Sequence, residues 1–287
     1  AAVLGDPQAK VRRAAVRGLA RRDGREAIPL LVARLAEEKE SVVALDIRDA
    51  LNRLTGKEFG DADLWRSWWE ANKDRFTGPA ARDDSGRAYF FELSLRTDRV
   101  AFLIDVSASM NRTDERGVSR LEEAARELGT TLGGLPPGAR FTVLAFAAEI
   151  RRFPDDAQGA LAPQRPGDRT AAAEAVAWLR KLKPAGATNT YGALMEALYD
   201  DAFAPDAIVL LSDGNPYRCA WRGETWSEHE QILGAVREAN ADRGARIHTV
   251  ALLSGARAED EDEDAQGAAD FLRRLARENG GDFREVR

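Results

Sequence analysis

The chain has 287 residues, is 44% hydrophobic and 31% charged, and carries a formal net charge of -6. That length holds two domains or one large one, and the composition argues against long disorder. The acidic balance argues against a general nucleic-acid binder; the single cysteine, Cys219, excludes an intrachain disulfide and a cysteine-based zinc site; two histidines argue against a His-rich transition-metal centre.

The charge is uneven. Residues 1–76 hold 15 Lys and Arg against 13 Asp and Glu, net +2, which leaves 27 against 35, net -8, for the remainder. No apolar run approaches the length of a membrane span. No signal peptide is visible. The chain starts with Ala1 rather than Met, so a trimmed or processed product is expected. The compartment stays open, an extracytoplasmic one included, as does the oligomeric state.

In chain order, residues 1–76 read as helical. Pro7 to Asp23 places Val11, Ala14, Ala15, Val16 and Leu19 on one stripe with arginines opposite. Ile28, Leu31, Val32 and Leu35 form a second stripe, with Pro29 in the first turn. Ser41 is expected to cap a third helix carrying Val42, Val43, Ile47, Leu51 and Leu54, and Gly56 ends it. The wording DPQAKVRRAAVRGLA resembles a HEAT repeat, over about the first 55 residues. Fewer than two repeats are present, and a solenoid needs about three, so further repeats are expected upstream. Leu64 to Phe76 reads as a short amphipathic helix whose Trp65, Trp68 and Trp69 are expected to be core. Residues 77–98 read as a small-residue linker and one leading strand, YFFELSL.

From Arg99 to Arg287 strands and helices alternate, which predicts a mainly parallel, doubly wound α/β sheet. Val100 to Ile104 are apolar without interruption, as in a central strand covered on both faces. Asp105, Ser107 and Ser109 follow at its carboxyl end. Ile208 to Leu211 form a second such strand, closed by Asp213, and the two strands are expected to be neighbours. Thr188 lies in GATNT, a loop that opens a helix. Ligands bind at the carboxyl edge of open α/β sheets. Two carboxylates and three hydroxyls there suit a hard cation: Mg²⁺, with Mn²⁺ or Ca²⁺ as alternatives.

The set Asp105-Val106-Ser107-Ala108-Ser109, Thr188 and Asp213 resembles the metal-ion-dependent adhesion site of von Willebrand factor type A domains. GATNTYGAL and LLSDG support the likeness independently. The resemblance implies a Rossmann-like fold with metal at the top of the sheet, ligated by the Ser107, Ser109 and Thr188 hydroxyls, with Asp105 and Asp213 often acting through water. It also implies a protein partner whose Glu or Asp completes the coordination sphere. Ala108 departs from the glycine of many members, which bears on loop geometry.

The reading is therefore a metal-dependent protein-binding module rather than an enzyme, with a HEAT-like helical region (1–76), a linker and leading strand (77–98) and a von Willebrand factor type A-like domain (99–287). Two alternatives stand beside it: an Mg²⁺-dependent phosphoryl-transfer enzyme, and a structural subunit with a vestigial metal site. The enzyme reading is weakened because Ser107 stands where a haloacid-dehalogenase-type phosphatase needs its second Asp. No G-x-S-x-G elbow, Walker P-loop or dinucleotide glycine fingerprint is present. His248 reads as core, His229 as a solvated helix residue, and Asn189 and Thr190 as neighbours of the site, with Thr190 capping the helix. The insert NPYRCAWRGETW carries Tyr217, Arg218, Trp221 and Trp226 beside the site, either shaping partner choice or forming a mobile loop. The acidic run from Ala258 to Gly267 reads as a solvated loop, with a second Ca²⁺ site as the alternative.

Overall fold

A computed structural model describes residues 2–21, 25–57, 59–76, 88–95, 97–135, 138–153, 169–217, 219–226, 228–254 and 262–287. The chain divides into two compact units, Ala1–Ser85 and Gly86–Arg287. Among the described residues no helix is long and apolar enough to cross a membrane.

Among its described residues the first unit has a short 3₁₀ helix, Ala2–Gly5, and four α-helices: α1 (Ala9–Arg21), α2 (Ala27–Glu37), α3 (Ser41–Thr55) and α4 (Ala62–Asn72). Their stripes meet in one core of Val16, Ile28, Leu31, Val32, Val43, Ile47, Leu51, Leu54, Trp65 and Trp69. Only part of the α1 stripe is buried: Ala14 is exposed, and Val11, Ala15 and Leu19 are half-buried. Trp65 donates its indole N–H to the Phe59 carbonyl at 3.0 Å, so its polar end is satisfied inside the core. Ser41 opens α3 instead of capping it; Glu40 holds the cap position and makes no side-chain cap bond. Gly56 ends α3 at φ 70°, a left-handed position that suits glycine. Glu38 is buried beside Arg12 and Arg34. Burial pushes its carboxyl up, but the Arg12 hydrogen bond, the Glu40 backbone N–H and the charges of Arg34 and Arg12 outweigh that and hold it below the usual range.

The second unit opens with an antiparallel pair, β1 (Ala88–Phe90) and β2 (Leu93–Leu95), where the sequence suggested one strand. The turn residues Phe91 and Glu92 both have positive φ, 46° and 64°. No glycine or asparagine announces that turn, so its sequence looks like uninterrupted strand. The remaining elements are β3 (Arg99–Asp105), α5 (Arg120–Gly134), β4 (Arg140–Phe146), β5 (Ile150–Phe153), α6 (Arg169–Lys181), α7 (Thr190–Leu198), β6 (Ala207–Ser212), β7 (Cys219–Trp221), β8 (Glu224–Trp226), α8 (His229–Arg243), β9 (Arg246–Leu252), α9 (Asp262–Glu278) and β10 (Gly280–Val286).

Among the described residues the main sheet has six strands in the order β10-β9-β6-β3-β4-β5, all parallel except β5, which runs antiparallel to β4. The predicted neighbours β3 and β6 pair directly, Ile104 opposite Leu211. Alternate residues of β3 feed opposite cores. Val100, Phe102 and Ile104 join α5 and α6 on one face, and Ala101 and Leu103 join α7, α8 and α9 on the other. That two-sided burial is why the strand reads as a continuous apolar run.

Several local expectations change. The insert after Asp213 is a β7–β8 hairpin whose turn residues Arg222 and Gly223 have φ 46° and 88°, the pattern of a two-residue type I′ turn. Arg218 and the side chain of Trp226 lie outside the described residues. The proposed linker, residues 77–87, also lies outside them. So does the start of the acidic run up to Glu261, while Asp262 onward is helix α9 rather than loop. His248 is buried in β9 and accepts from the Asp282 N–H. His229 is half-buried against the Phe271 ring, 4.8 Å between centroids, not simply solvated; burial, the largest influence, lowers its pKa.

Two substitutions test this packing. Leu103→Ala deletes a wholly buried side chain of the central strand and is expected to lower stability by about 2–5 kcal/mol, read as a lower denaturant midpoint at unchanged m-value. Gly192→Ala places a methyl 2.7 Å from the Ala220 carbonyl and 2.6 Å from the Asn189 side-chain nitrogen. It is expected to cost roughly 1–3 kcal/mol and lower Tm, because the hairpin backbone must move.

Candidate metal and partner site

Asp105 ends β3 and Asp213 follows β6 directly, so the pairing of the two strands brings two carboxylates together at the carboxyl edge. Both are buried, Asp105 completely. Each oxygen of Asp105 is used: one accepts the Ser107 backbone N–H at 2.8 Å, the other the Ser212 hydroxyl at 2.5 Å. Burial, reinforced by the nearby Asp213 charge and opposed by those hydrogen bonds, lifts the Asp105 pKa to about 7.

The loop after β3 tightens into a single 3₁₀ turn, Ala108–Asn111. It places the Ser107 and Ser109 hydroxyls 3.1 Å apart, and Ser109 donates to one Asp213 oxygen at 2.7 Å. Ala108 is not among the residues with positive φ, so alanine fits this turn as well as glycine would. The other Asp213 oxygen accepts from Arg120 at 2.7 Å.

Thr188 enters from the loop between α6 and α7. Val106 donates its N–H to the Phe146 carbonyl at 2.8 Å and accepts the Ala185 N–H at 3.0 Å. The Asn111 amide also donates to the Pro184 carbonyl at 3.0 Å, so this loop lies against the Asp105 loop. Thr188 is buried, and its carbonyl accepts the N–H groups of Thr190 and Tyr217, both at 3.0 Å. The helix cap is Asn189, not Thr190. Its side-chain oxygen accepts the Gly192 N–H, and the same side chain exchanges two hydrogen bonds with the Ala220 backbone of the hairpin. Cys219 is buried with its thiol 3.4 Å from the Thr188 carbonyl; burial raises its pKa. The hairpin is thus fastened to the Thr188 loop by Asn189, and further by hydrogen bonds from Tyr191 to Glu224 and from Trp221 to Glu196.

The structure therefore joins Ser107, Ser109 and Asp213 directly. It ties Asp105 in through Ser107 and Ser212, and it holds Thr188 through its backbone. Sequence reasoning missed Ser212 and Arg120. Ser212 stands beside Asp213 in LLSDG, so its position was a usable signal. Arg120 opens a helix as one of many arginines and carries no local mark.

The residues also indicate which donors the site has. Among the described residues no three His, Cys, Asp or Glu side chains converge on one point. A cation here would rest on hydroxyls, carboxylates and water, a wholly oxygen set suited to hard divalent ions.

Comparison with known proteins bears on the same region. The sequence profile of the von Willebrand factor type A domain matches residues 98–284. Inter-alpha-trypsin inhibitor heavy chain H2 of Homo sapiens is 29% identical over 127 residues, 41% of this chain but only 12% of that protein. Among solved structures, a von Willebrand factor type A protein from Catenulispora acidiphila has a TM-score of 0.46 at 22% identity, covering 68% of this chain and 40% of that one. A manganese-loaded TRAP protein of Plasmodium vivax has a TM-score of 0.41 at 18% identity, covering 62% of this chain and 61% of that one. The profile spans more than half of the chain and coincides with the six-stranded sheet and its helices: the chain belongs to the von Willebrand factor type A family.

Proposed function

We propose that this chain is a protein-binding module in which Asp105, Ser107, Ser109, Thr188 and Asp213 hold a divalent cation, Mg²⁺ first, and present it to a Glu or Asp of a protein partner. The observation that carries the reading is the hydroxyl chain Ser107–Ser109–Asp213, which gathers oxygen donors from two strand ends at one half-buried point. The donor set fits: all five side chains offer oxygen, and of the two buried carboxylates Asp213 is paired with the Arg120 guanidinium while Asp105 is held by Ser107 and Ser212. The cation would supply charge to those carboxylates and an electrophilic position for an incoming one. Mn²⁺ and Ca²⁺ satisfy the same donors.

The chain's own residues set what happens there. Ser212 and the Ser107 N–H occupy both Asp105 oxygens, so Asp105 orients the loop and is poorly placed to attack a phosphorus centre. This favours binding over phosphoryl transfer. Asn189 fixes the hairpin to the Thr188 loop, and the exposed Tyr217 donates its N–H to the Thr188 carbonyl, so this aromatic stands on backbone anchored beside the site. Tyr217 would contact the partner around its carboxylate.

The helical unit, residues 1–76, would be a HEAT-like helical repeat region that adds a second protein-binding surface. Support comes from the Asp6-Pro7 turn before α1: Asp6 accepts the Gln8 N–H at 2.8 Å, and Arg12 donates to the Asp6 and Pro7 carbonyls at 2.9 and 3.0 Å.

A thermal-unfolding series tests the metal. Mg²⁺ or Mn²⁺ at a hundred times Kd is expected to stabilise the protein by about 2.7 kcal/mol, a rise of several degrees in Tm that a chelator reverses. Ser109→Ala, which removes one donor, is expected to lose most of that rise. An unchanged wild-type Tm at millimolar metal would sink the proposal and favour a vestigial site.

A further inference from the structure

We propose that Arg120 keeps this site short of metal charge neutrality, so that a bound divalent cation retains one positive charge and selects a single carboxylate. The inference rests on the metal reading above and assigns the residue that tunes it.

Arg120 is the first residue of α5, where the exposed helix N–H groups disfavour a cation and favour the acids Glu122 and Glu123 that follow. It is nonetheless 2% exposed. Local helix preference does not explain a buried arginine there, and its three-dimensional partners do. One guanidinium nitrogen donates to Asp213 at 2.7 Å, and Nε donates to the Ser254 carbonyl beyond β9 at 2.7 Å. Arg120 therefore joins the start of α5, the end of β6 and the segment after β9. Glu123 is the next acid outward. It accepts the Ser254 hydroxyl at 2.9 Å and lies in the field of the exposed Arg116.

The charge count follows from the pairing. Asp105 and Asp213 together offset a divalent cation fully. Arg120 withdraws one of those negative charges, because Asp213 already faces a guanidinium with neither side chain exposed to more than a trace of solvent. The loaded site then carries one surplus positive charge in a desolvated place, and one incoming carboxylate brings it to neutrality. Without Arg120 the loaded site would be neutral, and an incoming carboxylate would leave a buried negative charge. Arg120 thus weakens the hold on the cation and strengthens the hold on the anion. It acts as a specificity-determining neighbour, through Asp213, and needs no contact with either.

The test uses the full chain, Mn²⁺ as the metal and sodium acetate as the carboxylate, with sodium nitrate matching ionic strength. Isothermal titration gives the Mn²⁺ Kd with and without acetate, and linkage makes the change in Kd the coupling between the two. In the wild type, acetate is expected to tighten Mn²⁺ severalfold. Arg120→Gln is expected to bind Mn²⁺ alone at least tenfold tighter and to lose the acetate effect. Arg120→Lys, which keeps the charge, is expected to keep it. A merely structural arginine would leave the Mn²⁺ affinity of a folded Gln variant equal or weaker, and that result overturns the proposal.

If Arg120→Gln folds only when Mn²⁺ is added, the cation is replacing the guanidinium, which supports the inference. If it folds under neither condition, the neutral Arg120→Met variant takes its place: tighter Mn²⁺ with no acetate effect upholds the proposal, and equal or weaker Mn²⁺ affinity overturns it. A wild type that binds no Mn²⁺ defeats the metal reading itself. A wild type that binds Mn²⁺ beside a Gln variant that binds no tighter defeats only the role given to Arg120.

Discussion

Two carboxylates buried at the ends of adjacent parallel strands set the terms for the rest of this molecule. Asp105 and Asp213 arrive together because β3 and β6 pair, and desolvation there, with the Asp213 charge nearby, opposes ionisation of Asp105. The surroundings are arranged to answer that. Ser107 and Ser212 hold Asp105, Ser109 and Arg120 hold Asp213, and the Ser107–Ser109 contact joins the two halves. The cluster needs rigid strands beneath it, and the uninterrupted apolar runs of β3 and β6 provide them by filling cores on both faces of the sheet.

The same constraint explains the elements around the site. The Thr188 loop is bonded to the Asp105 loop through backbone groups, so its position does not depend on a side-chain contact with the carboxylates. Asn189 then carries that order outward to the β7–β8 hairpin, and Gly192 lets the hairpin backbone approach closely enough for those bonds to form. The surface a partner would meet is thereby coupled to the buried cluster through a short chain of hydrogen bonds.

Much of this was legible in the residues. The parallel sheet followed from apolar runs alternating with amphipathic helices. The pairing of β3 with β6 followed from two strands that end alike in Asp. What escaped had physical reasons. The β1–β2 turn uses Phe91 and Glu92 at positive φ, residues that carry no turn signal. The β7–β8 hairpin is brief, with three residues in each strand, and periodicity has little to act on at that length. Thr190 looked like the cap of α7 because threonine favours that place, but Asn189 precedes it and bonds both helix and hairpin. Arg120 escaped because its meaning is wholly tertiary: its partners Asp213 and Ser254 lie 93 and 134 residues away.

Everything proposed for this molecule turns on whether its oxygen cluster holds a cation. Anomalous scattering from crystals grown with Mn²⁺ tests it most directly. One strong peak is expected, bounded by the hydroxyls of Ser107, Ser109 and Thr188 and the carboxylates of Asp105 and Asp213, with Arg120 still paired to Asp213. Well-ordered density for these five side chains with no peak among them, at Mn²⁺ concentrations that fill other sites in the same crystal, would contradict it.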